Sequence, residues 1–309
     1  MPSVCEVASL AEASALLREA SARGRTVSIE RAGGEVELRT ARLDRILEHE
    51  PGDLTCVVEA GLRLSELNER LRPFGQRLPL DPSGDPTVGA CLAGDLSGPR
   101  RHRHGTMRDL VIGATVVLGD GTVASSGGKV VKNVAGYDLA KLFCGSRGLL
   151  GLVGRIALRL SPVPEASRAL RVRSGTLQEA CAKARAIVRS SLEPSALDLT
   201  WPGCDLLVLF EGSARAVGAQ LETARSLVGG ADEQAWGAVD DCRPLAAGRV
   251  PVTLGSIPDV LPRYERAVAC VGAGVAHTVA PEPPDPRDPV EIALVERIRA
   301  AFDPAGVLV

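Results

Sequence analysis

The chain has 309 residues, long enough for two domains that each bury a core. A formal net charge of -2 excludes a global field that would draw in nucleic acid or an anionic membrane. The longest apolar runs, such as VIGATVVLG, are too short to span a bilayer, and aromatics at 3% leave the core to Ala, Val and Leu.

The opening MPSVCEVASL has neither a basic n-region nor an apolar h-region, so no secretory signal and a cytoplasmic location are expected. Ser9 and Glu12 form an S-x-x-E capping box, and Ala13, Leu16, Leu17 and Ala20 follow at helical spacing until Gly24. TVSIE (26–30) and TCVVEAG (55–61) read as strands. Ser65 is a candidate cap for a helix with Leu67, Leu71 and Phe74 on one face. Residues 81–109 carry many turn signals and few helix or strand signals, and long irregular segments in compact domains are often functional. A hairpin follows over 111–128 with Asp120-Gly121 at its tip. Asp138 is the expected cap of a short helix through Phe143, and 152–164 alternates as a strand that stops at two prolines.

A domain boundary is expected at 163–168, in VPEASR. Beyond it LRVRS is a strand, and Thr176 with Glu179 opens a helix through Arg189. ALDLTW and DLLVLFEG are strands, AVGAQLETARSLV is a helix, and residues 290–302 form a final helix. The β-α-β-β-α order predicts an open-faced α+β second domain.

Familiar chemistry fails first. The chain contains no GxGxxG, no GxxxxGK[ST] and no G-x-S-x-G. The eight cysteines include no C-x-x-C pair, so buried apolar thiols are expected rather than a zinc or iron–sulfur site. His102 and His104 would share a face if RRHRHG were extended, but no third metal ligand lies nearby. Arg100, Arg101, Arg103 and Arg108 suit either a phosphate or carboxylate contact or a solvated loop. Two glycine-rich stretches, 81–113 and 127–154, are candidates for an anion-binding loop, with structural turns as the alternative.

The run from TVGACLAGDLSGPRR through MRDLVIG and GKVVKNVAGYDLAKL to residue 162 resembles the FAD-binding domain of the vanillyl-alcohol oxidase, or PCMH-type, flavoprotein family. Within that family it is most like the GlcE type of glycolate oxidase subunit. The resemblance implies an α+β fold: a PCMH-type FAD-binding domain of two α+β subdomains (1–165), then a smaller α+β cap-like domain (166–309). It also implies cofactor contacts by position. Thr87, Val88, Gly89 and Ala90 match the second FAD loop near the pyrophosphate, with Pro82 just upstream. Gly94, Ser97 and Gly98 match the stretch beside the flavin. Gly105, Thr106, Asp109 and Val111 match a G-x-x-x-D-x-V phrase. Gly148, Gly151, Leu152 and Val153 match a strand entry on the adenine side. Lys132 to Leu139 matches a phrase that buttresses the pocket.

Two departures stand out. The family's first phosphate loop is longer than SIERAGGEVELR, and Glu35 occupies the place of a small hydroxyl residue. A carboxylate facing pyrophosphate would cost about 1 kcal/mol or more at roughly 4 Å. That stretch has no His, so FAD is expected to be non-covalent. The ending FDPAGVLV resembles the family's closing phrase but lacks N-P-G, and no His and Arg array for substrate is apparent. Three functions remain open. One is an FAD-binding subunit of a 2-hydroxy acid oxidase complex, with a catalytic flavoprotein and an iron–sulfur subunit as partners and a location in the cytoplasm or peripheral to the inner membrane. The second is a flavin-less scaffold of the same assembly, and the third is a stand-alone oxidase. No catalytic residue is assigned.

Overall fold

The computed structural model describes residues 2–128, 139–236, 248–279 and 289–309. The chain forms two compact units. The first takes 1–97, 106–163 and 286–309, and the second takes 98–105 and 164–285. The chain passes to the second unit beside the expected break at 165. Two segments depart from a linear division. Residues 98–105 join the second unit because Arg100 and Arg103 bond to Glu211 and Glu193 there. The C-terminal residues join the first unit because Val307–Val309 pair with Val27.

Among the described residues the first unit has three sheets, one of them a short antiparallel pair of Gln76–Arg77 with Ser161–Pro162. A parallel three-stranded sheet runs in the order Ser3–Glu6, Val36–Arg39, Val27–Ile29. The helix Leu10–Ala22 packs Ala13, Leu17 and Ala20 into the core that this sheet lines. The predicted cap is present: Ser9 Oγ accepts the Glu12 N–H at 3.2 Å, while Glu12 accepts the Ala8 N–H at 2.9 Å. The second sheet is antiparallel, in the order Ile46–Glu50, Thr55–Glu59, Leu152–Arg159, Val111–Val117, Val123–Gly127. Its core is a separate apolar cluster containing Val58, Leu67, Leu71, Val88 and Leu158. The hairpin turns at Asp120-Gly121, where Gly121 has φ +83° and the Asp120 carboxylate accepts from Thr122 N and Oγ1.

Several expectations change. Ser65 does not cap its helix. The helix Leu64–Leu71 begins one residue earlier, and the Asp85 carboxylate accepts from both Ser65 N (3.0 Å) and Ser65 Oγ (2.8 Å). A residue twenty positions away supplies the cap. Phe74 leaves the apolar face because the chain tightens into a 3-10 turn at Arg72–Phe74, and its ring sits edge-on to His49 at 4.7 Å, largely exposed. Residues 81–109 hold three short helices: Val88–Gly94, Arg101–His104 and Met107–Leu110. Each is too short to show an apolar period. The turn Arg101–His104 also removes the shared face proposed for His102 and His104, since i,i+2 residues of a helix do not face each other. Asp138, and Lys132 to Asp138 of the buttressing phrase, lie outside the described residues.

The second unit is one antiparallel sheet of seven strands. Its order is Asp232–Gln234, Ala166–Val172, Leu206–Gly212, Ala196–Trp201, Arg266–Cys270, Val275–Val279, Gly248–Pro251. Leu170, Leu199, Val208 and Ala269 point to one face, with the helices Leu177–Arg189 and Ala214–Val228. Alternation sends Ala169, Asp198, Leu209 and Glu211 to the other face. The Thr176 cap forms as predicted, accepting the Glu179 N–H at 3.2 Å.

Candidate cofactor site

The first loop follows the strand Val27–Ile29 directly. Its backbone is bent by Glu30 (φ +56°) and Gly33 (φ +138°). Ser28 Oγ donates to the Arg31 carbonyl at 2.7 Å and holds the start of the turn. Among the described residues, nothing bonds to the N–H groups of Arg31, Ala32, Gly33 or Gly34. Four consecutive N–H donors without an internal partner are available to an anion. Glu35 does not spoil it in the way expected from the sequence, because its carboxylate accepts the Thr26 N–H at 2.9 Å. Glu30 is likewise occupied, accepting from Thr40 N (2.5 Å) and Thr40 Oγ1 (2.6 Å).

The second loop is different. Thr87 Oγ1 caps its helix through Ala90 N at 3.1 Å. Val88 N donates to Leu62 O at 2.8 Å, and Gly89 N donates to Ala60 O at 2.7 Å. The donors of 88–90 are therefore spent inside the fold. Gly89 is required by packing, since a Cβ there would lie 2.7 Å from the Ala60 Cβ. Pro82, half-buried, precedes Asp85, the cap of the Leu64–Leu71 helix.

After that helix the chain meets residues 145–148. Gly145 N donates to Leu92 O at 3.0 Å and Arg147 N to Ala93 O at 2.9 Å. This brings Gly94 and Ser97 into the same region as Gly148. Gly148, with φ +79°, lies against Ile29 at the end of the strand that feeds the first loop. Among the described residues, two buried hydroxyl oxygens here have no partner: Ser97 Oγ, in a residue 7% exposed, and Ser146 Oγ. A buried hydroxyl without a partner is costly unless a ligand or water satisfies it. Ser146 was not singled out in the sequence, where a lone Ser beside Gly145 carries no signal.

The remaining positions are structural in their contacts. Asp109 accepts from Thr106 N at 2.8 Å and from Thr106 Oγ1 at 3.2 Å, closing a capping box. Val111, Leu152 and Val153 are buried strand residues, and a Cβ on Gly151 would lie 2.8 Å from Val117 O. Gly98 and Gly105 belong to the second unit. The thiol of Cys91, inside the second-loop helix, is pushed up to about 12 by burial and is inert. Among the described residues no group of His, Cys, Asp and Glu is placed to hold a metal.

In the second unit, the turn 98–105 is pinned by Arg100. Its Nε and Nη2 donate to the Glu211 carboxylate at 2.9–3.2 Å, with Glu211 almost fully buried. Burial lowers the pKa of His102, opposed by the charge of Asp198. On the sheet face away from the helices, Arg249 stands directly opposite His277, and Arg266 lies on the same face one strand further in. Register places these three residues on one sheet face.

Among the described residues, the donors of Arg31–Gly34, the two orphan hydroxyls and the bare Cα of Gly148 are groups that a ligand would satisfy. Comparison with known proteins supports FAD as the cofactor. Residues 2–127 match the FAD binding domain family. The chain is 36% identical over 189 residues to the glycolate oxidase subunit GlcE of Escherichia coli, covering 60% of this chain and 52% of that protein. It is 38% identical over 147 residues to a mitochondrial D-lactate dehydrogenase [cytochrome] of Arabidopsis thaliana, covering 48% and 26%. It is 33% identical over 167 residues to the glycolate oxidase subunit GlcD of Bacillus subtilis, covering 53% and 36%. The chain thus spans about half or less of the length of these relatives. In fold it is similar to solved alkyldihydroxyacetonephosphate synthase, with a TM-score of 0.74 at 14% identity, over 98% of this chain and 75% of that one.

Proposed function

We infer, from a chain that carries an FAD binding domain of the PCMH type, that it is an FAD-dependent oxidoreductase subunit acting on a small 2-hydroxy acid. The observation that carries this is the set of four unpaired N–H groups at Arg31–Gly34. They would hold the pyrophosphate, with Ser97 and Ser146 satisfied by the bound cofactor. When bound, FAD accepts a hydride and the substrate hydroxyl carbon becomes a carbonyl; the protein orients and tunes it.

The relatives named as glycolate oxidase subunits support a place in a multi-subunit complex; a catalytic flavoprotein and an iron–sulfur subunit are the partners proposed for it. Among the described residues no helix is long and apolar enough to cross a membrane. Placement in the cytoplasm, or at the inner membrane through such a complex, belongs to the same proposal. A second reading, a flavin-less scaffold of that assembly, is favoured by one observation: the donors of Val88–Ala90 are closed within the fold. Anaerobic addition of glycolate or D-lactate to the FAD-loaded chain, alone and co-expressed with its partners, tests the first reading. Bleaching of the flavin is expected. An unbleached flavin with every 2-hydroxy acid in both preparations would rule it out.

A further inference from the structure

The C-terminal residues, FDPAGVLV, form a strap. After the helix Pro289–Phe302, Asp303 is buried at 4% exposure. Its Oδ1 accepts the Val307 N–H at 3.0 Å and its Oδ2 accepts the Leu308 N–H at 2.7 Å. Charge-assisted bonds of this kind offset the burial of a carboxylate. Gly306, with φ +64°, turns the chain back, and Arg299 Nη2 donates to the Leu308 carbonyl at 2.5 Å. Gly119, beside the hairpin tip, has no Cβ, and one built there would collide with Asp303 Oδ1.

So folded, the last residues pair with the edge of the first sheet through one parallel bridge. Val27 N donates to Val307 O at 2.7 Å, and Val309 N donates to Val27 O at 3.1 Å, with Leu308 opposite Val27. The strand Val27–Ile29 has only three residues and lies at the sheet edge, so Val36–Arg39 alone would hold it from one side. The strap also joins both cores of the first unit. Phe302 packs edge-on to Phe143 in one, at 5.8 Å, and Val307 and Leu308 are buried in the other.

We propose that Asp303 is a positioning residue for the phosphate loop: it folds the Val307–Val309 strap onto the strand that launches Arg31–Gly34 and whose last residue, Ile29, lies against Gly148. This rests on the FAD reading above. The strap acts on the loop through Val27 and touches no cofactor itself.

The test uses the full chain with Asp303→Ala and Val309→Pro; the second removes only the N–H that bonds Val27. Asp85→Ala, which loses a helix cap elsewhere in the same unit, is the control. Hydrogen exchange of the FAD-free proteins and FAD titration by flavin fluorescence are the readouts. Both strap variants are expected to speed exchange across Val27–Glu30 by about tenfold, leaving Thr55–Glu59 and Ala196–Trp201 unchanged. Both are expected to weaken FAD binding about tenfold, while the control changes neither. Unchanged exchange at Val27–Glu30 overturns the proposal. So does acceleration spread evenly through the first unit, or an unaltered FAD affinity in a protein that binds it. If Asp303→Ala fails to fold, Val309→Pro decides alone. If wild type takes no FAD, the cofactor reading fails, and the exchange arm still decides whether Asp303 holds the strand that launches the loop.

Discussion

A Cβ placed on Gly148 would stand 3.0 Å from the Cβ of Ile29. This contact joins the two halves of the candidate pocket, because Ile29 ends the strand before the first loop and Gly148 follows the orphan hydroxyl of Ser146. Gly148 also has φ +79°, a region in which an L side chain costs roughly 1–2 kcal/mol. Gly148→Ala is therefore expected to lower unfolding stability by about 1–3 kcal/mol and to weaken FAD binding, as measured by denaturant titration and flavin fluorescence. Unchanged binding would separate Gly148 from the pocket.

The donor array makes its own prediction. Ala32→Pro removes one of the four unpaired N–H groups without touching an internal hydrogen bond. Loss of a hydrogen bond to a charged group is worth about 1.5–3 kcal/mol. FAD affinity should fall by about tenfold or more, with little change in melting temperature. A variant that binds FAD like wild type would show that these donors do not hold the pyrophosphate.

Asp85 illustrates what local sequence did and did not disclose. The capping boxes at Ser9/Glu12 and Thr176/Glu179 were legible because donor and acceptor lie three residues apart. The hairpin at Asp120-Gly121 was legible for the same local reason. The cap of the Leu64–Leu71 helix was not, because Asp85 reaches Ser65 across a loop. The helices at Val88, Arg101 and Met107 were hidden by glycines and by lengths under two turns. Cross-strand register, which sets Arg249 opposite His277, depends on strand order and cannot be seen in one strand's alternation. The return of Val307–Val309 to Val27 is invisible for the same reason. Asp85→Ala is expected to cost about 1 kcal/mol, seen as a lower melting temperature with FAD affinity intact.

His102 gives the protein a pH dependence in its second unit. Burial lowers its pKa, only partly countered by Asp198, so the unfolded chain takes up this proton more readily than the folded one. The stability tied to neutral His102 is full above the ordinary imidazole pKa and falls as pH drops below it. Melting temperatures measured from about pH 8 to about pH 5 should decline more steeply for wild type than for His102→Gln. Parallel curves would show that the imidazole titrates normally.

The central claim is that this fold holds FAD. The most direct measurement is the visible absorbance spectrum of the purified chain after incubation with excess FAD and removal of the free cofactor. A bound flavin spectrum at close to one FAD per chain is the predicted result. A colourless protein, with Arg31–Gly34 exchanging equally fast in the presence and absence of FAD, would contradict it.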